Sequence, residues 1–198
     1  MLSGPESAKS ILSNNEIHDN KVDGDLIIGS TVIKFPSFNI GANGEALRNL
    51  IEQHIRLQED DPIYCMVLDE LQSRIKDSPS RNVIGLSEKL RIAGRENYID
   101  EALVSSQKAS RLIARLQHVR SYQIFFNHIL GLIVTRFKTY VLPLIKSGAN
   151  ELVIRTAINS TIIEPLYAEV MTAGGSISSD AIEGMLYFLT EKCHVEWK

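Results

Sequence analysis

From residue 44 onward, apolar residues recur every three or four positions, the spacing of helices with one buried face. Asn43 is placed to cap a first helix to about residue 58, with Leu47, Leu50, Ile51, His54 and Ile55 on one face. Asp61 as N-cap and Pro62 at the first helical position start a second, to about residue 76. It carries Ile63, Met66, Val67, Leu71 and Ile75, and Pro79 ends it. A short helix around residues 86–93 stops at Gly94, a typical closing glycine. Two long helices follow over residues 96–119 and 121–145, the second with a kink allowed at Pro143 and closed by Gly148. Residues 151–159 and 161–172 read as one helix bent at Pro165, and Ala173-Gly174-Gly175 is a break. Ser179 or Asp180 caps a last helix to about residue 191. Beyond it Cys193, Val195 and Trp197 alternate as in a short extended tail docked on the body.

The N-terminal part keeps another rhythm. Ile17, Val22, Ile27 and Val32 stand five residues apart, with Asp19-Asn20, Gly24-Asp25 and Gly29-Ser30 between them. Neither helix nor plain strand puts one β-branched residue at every fifth position. Short extended pieces joined by tight bends do, the Gly, Asn and Asp residues supplying the bends. Four such rungs cannot bury their apolar row alone, whereas several copies wound together can. The row therefore predicts a homo-oligomerisation stem, a trimer among the expected orders. The competing reading is an ordinary hairpin, Lys21–Val22 with Leu26–Ile28 around Asp23-Gly24. The expected fold is mainly α, a bundle of about six to eight helices with a short N-terminal β repeat. Residues 1–15 read as a flexible leader, 16–35 as the repeat, 36–43 as a linker and 44–198 as the helical domain.

Composition changes little in this picture. With 198 residues, 44% hydrophobic and 23% charged, the chain can bury a core of ordinary size. A net charge of −3 steers it to neither nucleic acid nor membrane as a whole. Locally the balance shifts: residues 81–146 hold eleven Lys/Arg against four Asp/Glu, and both flanks are acidic. The two cysteines, Cys65 and Cys193, lack CxxC spacing, which suits a reduced cytoplasmic protein better than a disulfide scaffold. The start of the chain lacks the basic and apolar regions of a signal peptide. The most apolar window, residues 122–145, is interrupted by Asn127, His128, Arg136 and Lys138, so it reads as a core helix, with no membrane span expected.

Candidate chemistry is sparse. Gly24 to Thr31 echoes a phosphate loop, but it lacks the lysine that reaches the β- and γ-phosphates, and the repeat already accounts for its glycines. His18, His54, His118, His128 and His194 form neither HxxxH nor HExxH, so no metal is expected. An enzyme would need two or more of His54, His118, His128 and His194 to converge with a carboxylate. The carboxylates Glu59-Asp60-Asp61 and Asp100-Glu101 sit at helix starts, where the dipole favours them. No catalytic residue and no cofactor are expected. One stripe remains: Lys108, Arg111, Arg115 and His118 at spacings of three, four and three, which Arg120, Arg136 and Lys138 could extend. It reads either as a solvated or ion-paired helix face or as a phosphate-contacting, nucleic-acid-binding ridge; aromatic interleaving for base stacking is missing. Tyr122, Phe125, Phe126, Phe137 and Tyr140 have the spacing of core residues.

Two stretches, Asn82-Val83-Ile84-Gly85-Leu86-Ser87-Glu88-Lys89-Leu90 and Gly184-Met185-Leu186-Tyr187-Phe188-Leu189-Thr190 followed by Cys193-His194-Val195-Glu196-Trp197, resemble a C-terminal domain class of bacterial ABC-three-component systems. His18 to Asp25 is similar to the GDK-type repeat that often precedes such domains. The resemblance covers about residues 16–198. It implies a component of an anti-phage or mobile-element conflict system, in which the domain couples an effector to an ABC-type ATPase and a middle component. The matching motifs are structural and bring no catalytic residue with them. Fifteen residues precede the stem here, so the expectation is an effector encoded separately, or a sensor, adaptor or inhibitor acting alone.

Overall fold

The computed structural model describes the backbone of residues 25–28 and 31–34 and, with side chains, residues 40–78 and 84–198. The chain divides into two units, Met1–Ser37 and Phe38–Lys198. In the first, β1 (Asp25–Ile28) pairs antiparallel with β2 (Thr31–Lys34) in the register Asp25 to Lys34, Leu26 to Ile33, Ile27 to Val32 and Ile28 to Thr31. Two members of the five-residue row, Ile27 and Val32, are thus register partners. The competing hairpin, Lys21–Val22 with Leu26–Ile28 around Asp23-Gly24, falls on residues that include Lys21 to Gly24, which lie outside the described residues. Ile17 and Val22 lie outside the described residues, as does the leader.

The second unit is helical. Its elements are α1 (Gly44–Arg56), α2 (Pro62–Ile75), α3 (Leu86–Ile92), a 3-10 turn (Glu96–Tyr98) leading into α4 (Ile99–Leu116), α5 (Arg120–Arg136), α6 (Leu142–Lys146), α7 (Glu151–Ile158), α8 (Glu164–Thr172) and α9 (Ser179–Glu191). Because α5 runs into α6 and α7 into α8 through π-helical turns, these make seven continuous rods among the described residues. The caps follow local chemistry. Asn43 and Asp61 accept from the amides of Ala46 and Ile63, Asn150 from Val153, and Ser178, one residue before the expected cap, from Ala181.

Two π turns stand just ahead of the prolines at which a kink and a bend are expected. Phe137–Val141 precedes Leu142 and Pro143, and Asn159–Ile163 precedes Glu164 and Pro165, with the same offset. The amides of Leu142 and Glu164 reach back five residues, to the carbonyls of Phe137 and Asn159. A proline lacks the amide for its own helical bond and crowds the carbonyl four residues before it. Widening the turn just ahead carries the rod past it.

Helix α5 is the central rod, packed by α1, α2 and α9, with Phe126, Ile129, Leu130 and Ile133 fully buried. Burying each such side chain contributes about 1.5–3 kcal/mol. The run Arg120–Lys146 is long and apolar enough by composition to cross a membrane. Here α1, α2 and α9 pack against it, and its Asn127 and Arg136 have partners on other helices. The buried faces of α1 and α2 differ from the sequence expectation. Leu47 and His54 are buried in α1, while Leu50 and Ile55 are exposed; Tyr64, Val67 and Leu71 are buried in α2, while Ile63 and Met66 are exposed.

Helices α4 and α9 cross closely at Gly184, where a Cβ would stand 2.5 Å from the Ser105 carbonyl oxygen and 3.2 Å from the Ala109 methyl. The closest neighbour is backbone and cannot rotate away. Gly184→Ala is expected to cost about 1–3 kcal/mol, read as a lowered thermal midpoint.

Candidate functional site

The stretches around Lys89 and around Thr190 to Trp197 meet at the end of α9. The last carbonyls of a helix have no partner within it, and a cation there also complements the helix dipole. Lys89, from α3, fills that role: its Nζ donates to the carbonyls of Thr190 at 2.8 Å and Glu191 at 2.5 Å, and lies 3.0 Å from Cys193 Sγ. The chain leaves α9 through two bonds, Cys193 amide to Thr190 carbonyl and His194 amide to Leu189 carbonyl. The same pair of bonds closes α3, α6 and α8, where Gly94, Gly148 and Gly174 hold the left-handed position. At α9 it is held by Cys193, with φ 64°, at a backbone cost of about 1–3 kcal/mol. Trp197 then folds inward. Its ring meets Phe137 edge-on at 5.2 Å, stacks on Tyr187 at 6.3 Å, and its Nε1 donates to Thr190 Oγ1 at 3.0 Å. A cavity of about 280 Å³ remains, lined by Ile84, Lys89, Ile92, Cys193, Val195 and Trp197.

A second polar cluster ties the rods together. Glu169 of α8 is 4% exposed and faces His128 Nε2 at 2.7 Å and Arg136 Nη2 at 3.9 Å, both from α5. Burial pulls the Arg136 guanidinium below its ordinary range, with Glu169 opposing, and its buried Nη1 has no partner among the described residues. Asn127 bonds Glu70 and Arg74 of α2. Arg120 donates to the Leu57 carbonyl at 2.6 Å and pairs with Glu59 at 3.2 Å. His54 stacks on Tyr64 at 5.1 Å and meets Gln123 at 3.4 Å; burial holds its imidazole below the usual range, with the Gln123 bond opposing.

The expected basic stripe is brought together in part. Lys108, Arg111 and Arg115 are exposed on α4 and line one groove of about 610 Å³. His118 is also exposed, but α4 ends at Leu116 and the Val119 backbone is extended, so His118 lies past the helix. Arg120 and Arg136 do not extend the stripe, because both are drawn inward onto the partners given above. Of the aromatics, Phe125, Phe126 and Phe137 are buried, and Tyr122 and Tyr140 half-buried. His54, His128 and His194 each have a different partner, the last being the Lys76 carbonyl at 3.0 Å. Among the described residues no three His, Cys, Asp or Glu converge as a metal would require.

The family model for C-terminal domain 9 of the ABC-three component (ABC-3C) systems matches residues 85–197, more than half of the chain. The chain belongs to this family. No curated protein and no solved structure matches it. The ABC-3C domain begins, by this match, at the N-cap of α3 and ends on Trp197, so the junction of Lys89 with Cys193 and Trp197 closes its two ends on each other. Helices α1 and α2 fall outside the match, yet their Leu47 and Leu71 are fully buried in the same core. Sequence reasoning passed over Lys89, Glu169 and Thr190; the first and last stand inside the stretches that carried the resemblance.

Proposed function

We propose that this ABC-3C domain is a non-catalytic adaptor of a bacterial conflict system, a helical body that docks partner proteins and is gathered into a homo-oligomer by its N-terminal repeat. The observation that carries this reading is the use made of the residues within the matched segment. Lys89, Thr190, Cys193 and Trp197 are taken up in capping α9 and closing the core. They define a shape for recognition. Membership in a three-component system implies partner proteins, and a separate effector or an ABC-type ATPase are the partners the reading names, in the cytoplasm. The stem is assigned to Ile17, Val22, Ile27 and Val32. Its support is the strict five-residue row, which one chain cannot bury. Light scattering on the full chain and on a chain lacking residues 1–34 tests it. An oligomer that loses subunits on truncation is the expected result, and the same subunit number in both forms, a monomer included, removes the stem.

Nucleic-acid binding through Lys108, Arg111 and Arg115 is the second reading. Their exposure in one groove favours it. The carboxylates Glu101, Asp180 and Glu183 in the same groove weigh against a polyphosphate strand.

A further inference from the structure

The charge along the exposed face of α4 changes sign. Glu101 stands near its start, and two turns further on begins the run Lys108, Arg111, Arg115. Helix α9 adds Asp180 and Glu183 to the same groove. Glu183 interacts electrostatically with both Glu101 and Asp180, so the three carboxylates form one acidic end. Burial, reinforced by Glu101, holds the Glu183 carboxyl above its ordinary range, with Arg155 only partly opposing, so this end is short of positive charge. At the other end, none of the three cations forms an ion pair with a described residue.

We propose that this groove is the contact surface for a second copy of the chain, related by a two-fold axis that lays each acidic end on the partner's basic end. In a two-fold contact, residue i meets residue j and j meets i, so one surface satisfies both rows at once. Three cations and three carboxylates make the patch neutral as a whole and self-complementary. Neither a polyanion nor a polycation achieves this, since each would be repelled at one end. The contact does not rest on the stem. A stem that holds copies together would raise their effective concentration and favour it.

The test uses the full chain, as an equal mixture of unlabelled and nitrogen-15-labelled protein treated with a carbodiimide, which joins a lysine amine to a touching carboxylate. Peptides joining Lys108 of one isotope to Glu101 or Asp180 of the other are expected. Their yield should fall several-fold between roughly 10 mM and 1 M salt. Arg111→Glu/Arg115→Glu leaves both linking groups in place and should cut the yield about tenfold, as should Asp180→Lys for the Glu101 link. Mixing these two variants should restore links between them, which a folding defect would not. Absence of mixed-isotope links in the unaltered chain, or links indifferent to Arg111→Glu/Arg115→Glu, overturns the proposal. So does retention of duplex DNA or RNA through these arginines in a chain that gives no links. Oligomers without links leave the stem standing and this contact rejected, whereas links in a chain whose truncation changes nothing do the reverse.

Discussion

Trp197→Ala is expected to lower the unfolding free energy by about 3–5 kcal/mol. The side chain is 4% exposed and sits between Phe137 and Tyr187, which belong to rods far apart in sequence. Its removal leaves a cavity walled by the π turn and α9, neither of which can collapse without giving up its own packing. It also frees the Thr190 hydroxyl, which still bonds the Leu186 carbonyl at 2.9 Å and is therefore not orphaned. The loss is thus mostly one of packing, and Thr190→Val should cost only about 1–2 kcal/mol. Chemical denaturation followed by far-ultraviolet circular dichroism measures both, since Trp197 is the chain's one tryptophan and fluorescence disappears with it. A loss below about 1 kcal/mol for Trp197→Ala would mean that the tail is not docked.

Glu169→Ala should be comparably severe, about 3–5 kcal/mol, for a different reason. It leaves the guanidinium of Arg136, 10% exposed, without its counter-charge and with an already unpartnered Nη1. Removing both charges with hydrophobic residues of similar volume, Glu169→Leu with Arg136→Met, should return most of that loss. A buried pair must first recover its own desolvation. The double variant is therefore the informative measurement: if it is as unstable as Glu169→Ala alone, the effect is one of shape and not of charge.

These two sites mark where the sequence is legible and where it is not. Helix starts could be read because a cap is a local event: Asn43 and Asp61 bond amides two or three residues away. Gly94 and Gly148 were equally plain, each closing its own helix. Which apolar residues face inward was not legible in α1 and α2. Leu50 and Ile63 are as hydrophobic as their buried neighbours, and only the position of α5 decides between them. Pro143 and Pro165 announced a disturbance without its form, because the clash can be relieved by losing a helical bond or by widening the turn ahead of it. The basic stripe was readable through Arg115, as long as α4 lasts. It failed at Arg120 and Arg136, whose partners lie elsewhere in the body, Leu57 just past the end of α1 and Glu169 on α8. Cys193 was expected to face inward from its alternation with Val195 and Trp197. That it would take the left-handed position given elsewhere to glycine has no signature in its neighbours.

The clamp of Lys89 on the end of α9 also sets a timetable for synthesis. The two partners are separated by 101 residues, and Ser106 reaches Glu191 across 85. A ribosome that has completed α5 has made the central rod with α1 and α2 but not α9, and an early nucleus cannot include the pairing that closes the body. The nascent domain therefore emerges with the α9-facing side of its central rod uncovered until α9 and Trp197 follow, an interval in which a chaperone or a neighbouring nascent copy finds it open.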